Sequence, residues 1–357
     1  MNRLTQQLAT TPAAWLQRDA PAAPVVLSSR IRLARNLAGM PFPNRATLRQ
    51  RADVWSRTAA ALNRTPDGPG ATLLELPDLT AGDRQILAER HVISRDLTQN
   101  GRGSGLALIG SERLSLMINE EDHLRLQSLA PGLTLWERWQ DIDRLDNRLG
   151  EALDFAFDPR LGFLTACPTN VGTGMRASVM LWLPGLALTD GLKPVLRAMS
   201  VMNLTVRGLF GEGTEALGFV LQFSNQSTLG ESESQILQRL ERVVRQLVWS
   251  EENARLRLAS HSPARLLDLV GRAYGTLFYA HELAAEEALN CLFAVRLGVV
   301  TDLFSNLDLA TVDELILRTQ PGHLQAEHGQ TLTEKRAGRL RADRVRKALK
   351  DHRPGGR

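Results

Sequence analysis

Strand-type patterns end at about residue 258 of this 357-residue chain, and helical patterns fill the remainder. Residues 105–118 (GLALIGSERLSLMI) predict two strands joined by a turn, and residues 199–225 predict further strands around a Gly-rich turn. From Ile236 to Val248 the apolar residues recur at helical spacing. Strands that are grouped apart from helices favour an α+β fold over an alternating α/β fold. We therefore predict an α+β domain followed by a smaller all-helical domain.

The chain is expected to divide into three parts. Residues 1–23 read as a loose leader segment, 24–256 as the α+β domain, and 257–357 as the helical C-terminal domain with a basic tail. Within the first domain, Thr80 with Asp83 three residues later predicts a capped helix start. Residues 124–150 predict an amphipathic helical region.

Composition indicates a soluble globular protein. Hydrophobic residues make up 43% of the chain and charged residues 23%. The apolar runs are shorter than the ~18–20 residues of a membrane span, and the N-terminus lacks the apolar core of a signal peptide. Cys167 and Cys291 are too few for a disulfide framework or a cysteine-based zinc site. We expect a cytoplasmic enzyme or binding protein that makes no use of a membrane.

The formal net charge of +4 is unevenly distributed. Residues 335–357 contain ten lysines and arginines against Asp343 and Asp351, a net charge of +8, so the rest of the chain stands at −4. A basic C-terminal helix can bind nucleic acid or an acidic partner. Solvated basic helix faces are common, however, and we expect no nucleic-acid binding here.

Four polar segments each end or interrupt an apolar run, where a sheet edge would present side chains to a cleft. They are SSRIRLAR (28–35), NEEDHLR (119–125), CPTNVGTGMR (167–176) and RGLFGEGTEA (207–216). Each contains at least one arginine, and a guanidinium is permanently charged and matches phosphate oxygens in a bidentate manner. Such a set could neutralise a triphosphate and a transferring phosphoryl group. Taken singly, each arginine is more simply explained by a surface ion pair, and it is the four segments together that favour a phosphate site.

The four segments, in this order, resemble the phosphagen (guanidino) kinase family, and the resemblance covers roughly residues 24–255. It implies a catalytic domain built on an antiparallel sheet flanked by helices, and transfer of the γ-phosphoryl group of MgATP to a guanidinium nitrogen. The resemblance implies that the nucleotide is bound by Ser28, Ser29, Arg30, Ile31, Arg32, His91, Arg125, Arg176, Ala177, Ser178, Val179, Met180, Arg207, Gly208, Leu209, Phe210, Gly211 and Glu212. It also implies that the substrate guanidinium is contacted by Glu120, Glu121, Cys167 and Glu212. Of these, Glu121, Glu212 and Cys167 are the catalytic candidates.

These residue types suit that chemistry. A guanidinium has a pKa above ~12, so its nitrogen is a poor nucleophile until it is oriented and loses a proton. Two carboxylates can hold the guanidinium fork, and one of them, with Glu121 favoured, can take the proton. Nearby cations would favour the thiolate of Cys167, which without the resemblance would read as an inert buried thiol. No acidic metal cluster is evident, so Mg²⁺ is expected to bind through the phosphates and water.

Three longer segments are similar in sequence to the bacterial protein arginine kinases of the McsB type: SSRIRLARNL, TNVGTGMRASVMLWLP and LTVRGLFGEGTEA. Only 27 residues precede Ser28, too few for the helical domain that closes over a free guanidine substrate, and a helical extension follows the catalytic part instead. This branch implies protein substrates with exposed arginines, marking for a Clp protease in the stress response, a McsA-like activator and a homodimer. Two alternatives stay open: a kinase of a small guanidine such as free arginine, and a non-catalytic adaptor that uses the basic tail.

One C-terminal motif departs from that branch. Its members carry RD-x-x-RA, which forms an allosteric phosphoarginine pocket. Anchoring on Arg341 and Ala342 places Ala337 and Gly338 where Arg and Asp are expected, and a shift to Arg336 still finds no Asp. A pocket without its bidentate partner should bind phosphoarginine poorly. We predict that this site is degenerate.

Overall fold

The computed structural model describes residues 2–16, 19–99, 101–110, 112–208, 217–329 and 331–354. Its strands are β1 (Val26–Arg35), β2 (Thr72–Glu75), β3 (Gly105–Ile109), β4 (Leu114–Ile118), β5 (Leu124–Pro131), β6 (Phe157–Asp158), β7 (Gly162–Phe163), β8 (Met175–Trp182), β9 (Leu204–Gly208) and β10 (Val220–Asn225). Eight of them form one sheet in the order β2-β3-β4-β5-β1-β8-β10-β9, and β6 pairs with β7 in a separate hairpin. Every neighbouring pair in the large sheet is antiparallel. The predicted α+β class with an antiparallel sheet is confirmed.

Helices flank this sheet and then continue alone to the end of the chain. They are α1 (Arg3–Thr10), α2 (Leu48–Asn63), α3 (Ala81–Glu89), α4 (Arg95–Gln99), α5 (Leu135–Gly150), α6 (Pro184–Leu188), α7 (Leu192–Val201), α8 (Glu233–His261), α9 (Pro263–Tyr279), α10 (Ala285–Val300), α11 (Leu309–Arg318), α12 (Pro321–His328) and α13 (Glu334–Leu349). Helix α3 begins as predicted, because Thr80 and Asp83 form a reciprocal capping box. None of the described helices is long and apolar enough to cross a bilayer.

The main core lies on one face of the sheet. Ile31 and Leu33 of β1 and Val179 of β8 point into it and are fully buried. They meet apolar residues of α2, α5 and α8, such as Val54 and Leu240. A fully buried side chain of this kind contributes about 1.5–3 kcal/mol to folding. Because side chains alternate along a strand, the residues between these core positions must face the opposite side.

A second core cluster joins the sheet to the C-terminal helices. Trp182 at the end of β8 is fully buried, and the guanidinium groups of Arg255 and Arg296 each lie 4.3 Å from its rings. Arg296 Nε also donates to Asp313 at 2.8 Å. The cluster continues through apolar residues of α9 to α13. The predicted division at residues 256 and 257 falls inside α8, and the two-domain division stays a prediction.

A carboxylate of α3 also binds the C-terminal helices. The backbone N–H of Gly322 donates to Glu89 Oε1 at 2.7 Å, and Nδ1 of His323 lies 2.7 Å from Glu89 Oε2. Gly322 and His323 belong to the first turn of α12, where backbone N–H groups have no acceptor within the helix. These groups stabilise the negative charge of the Glu89 carboxylate.

Two local predictions were wrong. The leader is not loose: Asn2 caps α1, Thr5 is fully buried, and Arg90 binds the carbonyl oxygens of Leu8 and Thr11. Residues 124–131 form strand β5 rather than the start of a helix, and the helix begins only at Leu135. Pairing with β1 and β4 on both sides provides β5 with hydrogen bonds that no local pattern reveals.

Candidate functional site

Five arginines lie on the sheet face opposite the main core. Arg30 and Arg32 alternate with the buried Ser29, Ile31 and Leu33 along β1. The strand register places the other three on the same face: Arg176 is opposite Arg32, Arg125 is opposite Ala34, and Arg207 is opposite Gln222, which is itself opposite Met180. The structure thus brings together every predicted phosphate-binding arginine, although they come from four strands.

This arginine face carries repulsion among like charges. Burial, together with the neighbouring charges of Arg176, Arg125 and Arg207, lowers the pKa of Arg30 to about 10. Burial, Arg30 and Arg125 also lower the pKa of Arg32 well below its usual value. Among the described residues, the buried Nε of Arg32 has no hydrogen-bond partner. Glu120 offsets part of this repulsion, and a bound polyanion would relieve it further, so the arginine face suits a polyanionic ligand.

The remaining predicted nucleotide residues divide between the two faces. Ser28, Ser178 and Met180 line a pocket together with Arg30, His91, Leu129 and Gln222. The side chains of Ile31, Ala177 and Val179 lie in the main core, so only their backbone can face a nucleotide. Ser29 is buried, donates to Gly132 O at 2.7 Å and accepts from Thr134 N. Gly208 ends β9, and Leu209, Phe210, Gly211 and Glu212 lie outside the described residues.

His91 is a neutral histidine at the pocket wall. Burial, together with the charges of Arg30 and Arg95, lowers its pKa to about 3. Its backbone has a positive φ of 59°, and its carbonyl accepts from Gln127 Nε2 at 2.7 Å. A neutral imidazole offers one donor and one acceptor, which suits hydroxyl groups or a base rather than a phosphate.

Acid should destabilise the protein through His91. Between its ordinary pKa of 6.5 and its folded value of about 3, only the unfolded chain binds the proton, so stability falls as pH drops through this range. We expect wild type to have a lower Tm at pH 5 than at pH 7. Over the same pH change, His91→Gln should lose about 1–2 kcal/mol less of its free energy of unfolding than wild type does. The exposed His281→Gln is the control. An unchanged acid loss in His91→Gln would contradict this assignment.

The NEED segment is a tight connection between β4 and β5. Asn119 has a positive φ of 57°, and its amide donates to the carbonyl oxygens of Arg51 and Gly103. Glu120 and Glu121 both pair with Arg125, at 2.5 and 2.9 Å. The side chain of Glu120 is 5% exposed and that of Glu121 is 45% exposed. Only Glu121 is therefore open to an incoming side chain.

A buried network joins this turn to the cysteine loop. Asp122 is fully buried, and its Oδ1 accepts from Ala166 N and from Asn36 Nδ2, both at 2.7 Å. Asn36 in turn accepts from His123 N at 2.8 Å. The hydrogen bond between Asp122 and Ala166 thus joins the residue after Glu121 to the residue before Cys167. Asp122 and Asn36 were not predicted as site residues, although their position beside NEED and SSRIRLAR could have suggested a supporting role.

Cys167 precedes a loop that requires glycine. Its Sγ lies 3.0 Å from Thr169 Oγ1 and is partly exposed. Gly172 and Gly174 have φ values of 117° and 67°, and a Cβ on Gly174 would lie 2.5 Å from Nη1 of Arg35. Glycine alone accommodates both the backbone angle and this contact. The loop therefore places the thiol at one end and Arg176 on the arginine face at the other.

The described residues contain no group of three or more His, Cys, Asp or Glu side chains that could hold a metal ion.

The C-terminal motif lies on the packed face of α13. Ala337 and Gly338 are buried, and a Cβ on Gly338 would come within 3.2 Å of Leu283 O. Arg341 is fully buried and donates to Thr319 O at 2.9 Å and Leu283 O at 2.6 Å. Several basic side chains of the tail are paired within the protein, among them Arg344 with Glu327 and Arg346 with Asp343. The high charge of the tail is thus partly compensated internally.

Comparison with known proteins agrees with this site. Residues 53–254 match the family ATP:guanido phosphotransferase, C-terminal catalytic domain, and residues 263–355 match the protein-arginine kinase McsB C-terminal domain. A protein-arginine kinase of Moorella thermoacetica is 46% identical over 338 residues, covering 94% of this chain and 97% of the relative. One of Halothermothrix orenii is 42% identical, covering 94% and 96%.

Solved structures share the fold. Lombricine kinase superposes with a TM-score of 0.57 at 25% identity, covering 70% of this chain and 75% of that one. The duplicated taurocyamine kinase from Schistosoma mansoni, with bound transition-state analogue components, gives 0.59 at 23% identity, covering 80% and 48%. The catalytic-domain match spans more than half of the chain, and the relatives align along nearly all of it. The chain therefore belongs to the protein-arginine kinase branch of the ATP:guanido phosphotransferase family.

Proposed function

We propose that this protein transfers the γ-phosphoryl group of MgATP to arginine side chains of other proteins. The observation that carries the proposal is the half-exposed Glu121, which lies at the edge of the five-arginine face and is connected through Asp122 to the Cys167 loop. A guanidinium held there would lie between a carboxylate and a thiol, next to cations that suit a triphosphate. The relatives that align along the chain are named protein-arginine kinases.

In the proposed mechanism, Glu121 binds the target guanidinium and orients one nitrogen towards the γ-phosphorus. That nitrogen forms the new N–P bond as the bond from phosphorus to the β,γ-bridging oxygen breaks, and ADP leaves. Glu121 takes the proton of the attacking nitrogen. Arg30, Arg32 and Arg176 stabilise the charge that develops on the phosphoryl oxygens. Glu212, outside the described residues, remains the second proposed carboxylate.

Cys167 is the proposed third substrate contact. Its partly exposed Sγ lies on a loop that Asp122 and Asn36 hold beside the NEED turn. Its sulfur would add a third contact to the guanidinium, beside the carboxylate of Glu121. Mg²⁺ would be held by the nucleotide phosphates and water, and would neutralise charge on the β- and γ-phosphates.

The cellular role belongs to this proposal as well. Phosphorylated arginines would mark substrates for a Clp-type protease in the cytoplasm during stress, with a McsA-like activator and a homodimeric kinase. The resemblance of the sequence motifs and the match to the McsB C-terminal domain support this role.

Incubation with MgATP and an unstructured arginine-containing protein such as casein tests the function. Mass spectrometry at neutral pH should detect acid-labile phosphoarginine on the protein, while free arginine in a parallel reaction should remain unmodified. Phosphorylation of free arginine alone would favour the small-guanidine kinase. Salt-sensitive DNA binding without turnover would favour the adaptor.

Free phosphoarginine should not stimulate this enzyme. The positions of the expected Arg and Asp hold Ala337 and Gly338, which are buried against the Leu283 segment. Nε and Nη1 of Arg341 donate to two carbonyl oxygens, and only its buried Nη2 has no partner among the described residues. A bidentate pocket for the phosphoryl group is therefore missing at these positions. Initial rates of casein phosphorylation, measured with increasing phosphoarginine, should stay flat or fall through product inhibition. A rise in rate at micromolar phosphoarginine would show that the pocket has survived in another form.

A further inference from the structure

His91 is packed against a residue of the leader. The rings of Trp15 and His91 meet edge to face, with centroids 4.8 Å apart and planes inclined by 69°. Trp15 is only 5% exposed and belongs to the same core cluster as Leu129 and Met180, which line the pocket beside His91. The leader therefore forms part of the support behind this wall of the pocket.

Hydrogen bonds from Arg90 also hold the leader beside His91. Arg90, the residue before His91, donates to the carbonyl oxygens of Leu8 at 2.6 Å, Thr11 at 2.9 Å and Pro12 at 3.0 Å. Its guanidinium also pairs with Glu112, at 2.5 and 2.6 Å, and both side chains are buried. The three charge-assisted hydrogen bonds to backbone carbonyl oxygens hold the segment before Trp15 in one position, and the two to Glu112 fix the guanidinium that donates them.

The two ends of the site differ in chemistry. Along β1, Arg32 lies with Arg176 and Arg125 at the cationic end, which suits phosphates. Ser28 lies two residues before Arg30, and its neighbours are Met180, Leu129 and the neutral His91. Apolar surface with hydroxyl groups and a neutral imidazole suits an uncharged ring and a sugar. An extended nucleotide would therefore bind with its nucleoside part at the His91 end.

We propose that Trp15 is a positioning residue for nucleotide binding: it holds the His91 imidazole against the nucleoside part of ATP. This inference rests on the proposed function, because it takes the bound anion to be a nucleotide. The indole Nε1 is buried and has no hydrogen-bond partner within the described ranges. Trp15 thus acts by the shape and edge of its ring, and a phenyl ring should largely replace it.

The test compares MgATP with magnesium tripolyphosphate, which presents phosphates without a nucleoside. By calorimetry, Trp15→Leu should bind MgATP about 2- to 10-fold more weakly than wild type, because an aromatic pair is lost, and should bind tripolyphosphate equally well. The KM for MgATP should rise while kcat changes little. Trp15→Phe should restore most of the affinity, and Trp249→Leu, which alters an exposed tryptophan on α8, should match wild type. Equal MgATP affinity in Trp15→Leu and wild type would overturn the proposal, and so would equal weakening for both ligands.

A second measurement does not depend on the leucine variant folding. The chain has six tryptophans, and Trp15 is the one whose ring touches the pocket histidine. MgATP should change tryptophan emission in wild type clearly more than in Trp15→Phe, whereas tripolyphosphate should produce the same small change in both. Identical MgATP responses would count against the proposal. If wild type makes phosphoarginine and binds MgATP but ignores changes at Trp15, only this inference fails. If wild type binds no nucleotide, the proposed function fails with it.

Discussion

Glu121→Gln should reduce phosphoarginine formation about 100- to 10,000-fold, the range associated with loss of a general base. The amide keeps the shape of the side chain but cannot take the proton of the attacking nitrogen. In this variant Arg125 can still pair with Glu120, which lies 2.5 Å from it, so the arginine face should keep its arrangement. Rates are to be measured as phosphoarginine formed on casein, and MgATP affinity by calorimetry should stay within about threefold of wild type.

The matched control for this variant is Glu241→Gln on α8. Glu241 also pairs with an arginine four residues later, Arg245, at 2.6 Å, and lies outside the four site segments; its other oxygen accepts from Trp136 Nε1 at 2.8 Å, a bond that the amide oxygen of glutamine can still accept. Removing one partner of such a pair should change stability by less than about 1 kcal/mol and leave turnover unchanged. Undiminished turnover in Glu121→Gln would remove this carboxylate from the mechanism. A parallel loss of MgATP binding would instead identify it as a structural partner of Arg125.

Arg32→Met should separate stability from function. Burial together with Arg30, Arg125 and Arg176 disfavours the charge of Arg32 in the free protein, as its lowered pKa shows. Removing the charge relieves this repulsion, so the Tm of the ligand-free protein should be equal or higher. The same change removes charge-assisted hydrogen bonds to the triphosphate, which should weaken MgATP binding about 10- to 100-fold. Turnover should fall about 100- to 1,000-fold.

Arg57→Met provides the comparison. Arg57 lies on α2, is 55% exposed and pairs with Asp53 at 2.8 Å, so its loss should affect neither MgATP affinity nor turnover. Thermal melts without nucleotide and with saturating MgATP measure both effects in one series, since a ligand raises Tm according to its affinity. If Arg32→Met kept its MgATP-induced shift, or lost stability as strongly as a core variant, the arginine face would not be a preorganised anion site.

The sequence allowed the arginines to be identified but not their convergence. Arg30 and Arg32 are two residues apart, so a strand through them must place both on one face. Arg125, Arg176 and Arg207 join that face only because β5, β8, β10 and β9 pair in one particular register. A shift of one residue in any of these pairings would turn the arginine of that strand towards the core. Register depends on contacts between distant segments, and these are not visible in a local pattern.

The errors have the same origin. Residues 124–131 belong to the region 124–150 that the sequence predicts to be amphipathic and helical, whereas pairing with β1 and β4 makes them a strand. The prediction of a loose leader fails because the hydrogen-bond partners of the leader, Arg90 and Glu112, lie far along the chain. Asp122 was overlooked for a related reason: its partners Ala166 and Asn36 are distant in sequence.

The amino-acid sequence by itself determined the chemistry of this protein: which segments carry arginines, carboxylates and a thiol, where glycine must turn the chain, and which family these motifs resemble. Those properties reside in residue types at short spacing, where backbone geometry is predictable. Only the tertiary structure decided which side chains share a face, that Glu121 rather than Glu120 is open to a substrate, and that Trp15 supports His91. These arrangements arise from strand register and from packing between segments far apart in the chain, and their free energies depend on the whole fold rather than on any single stretch.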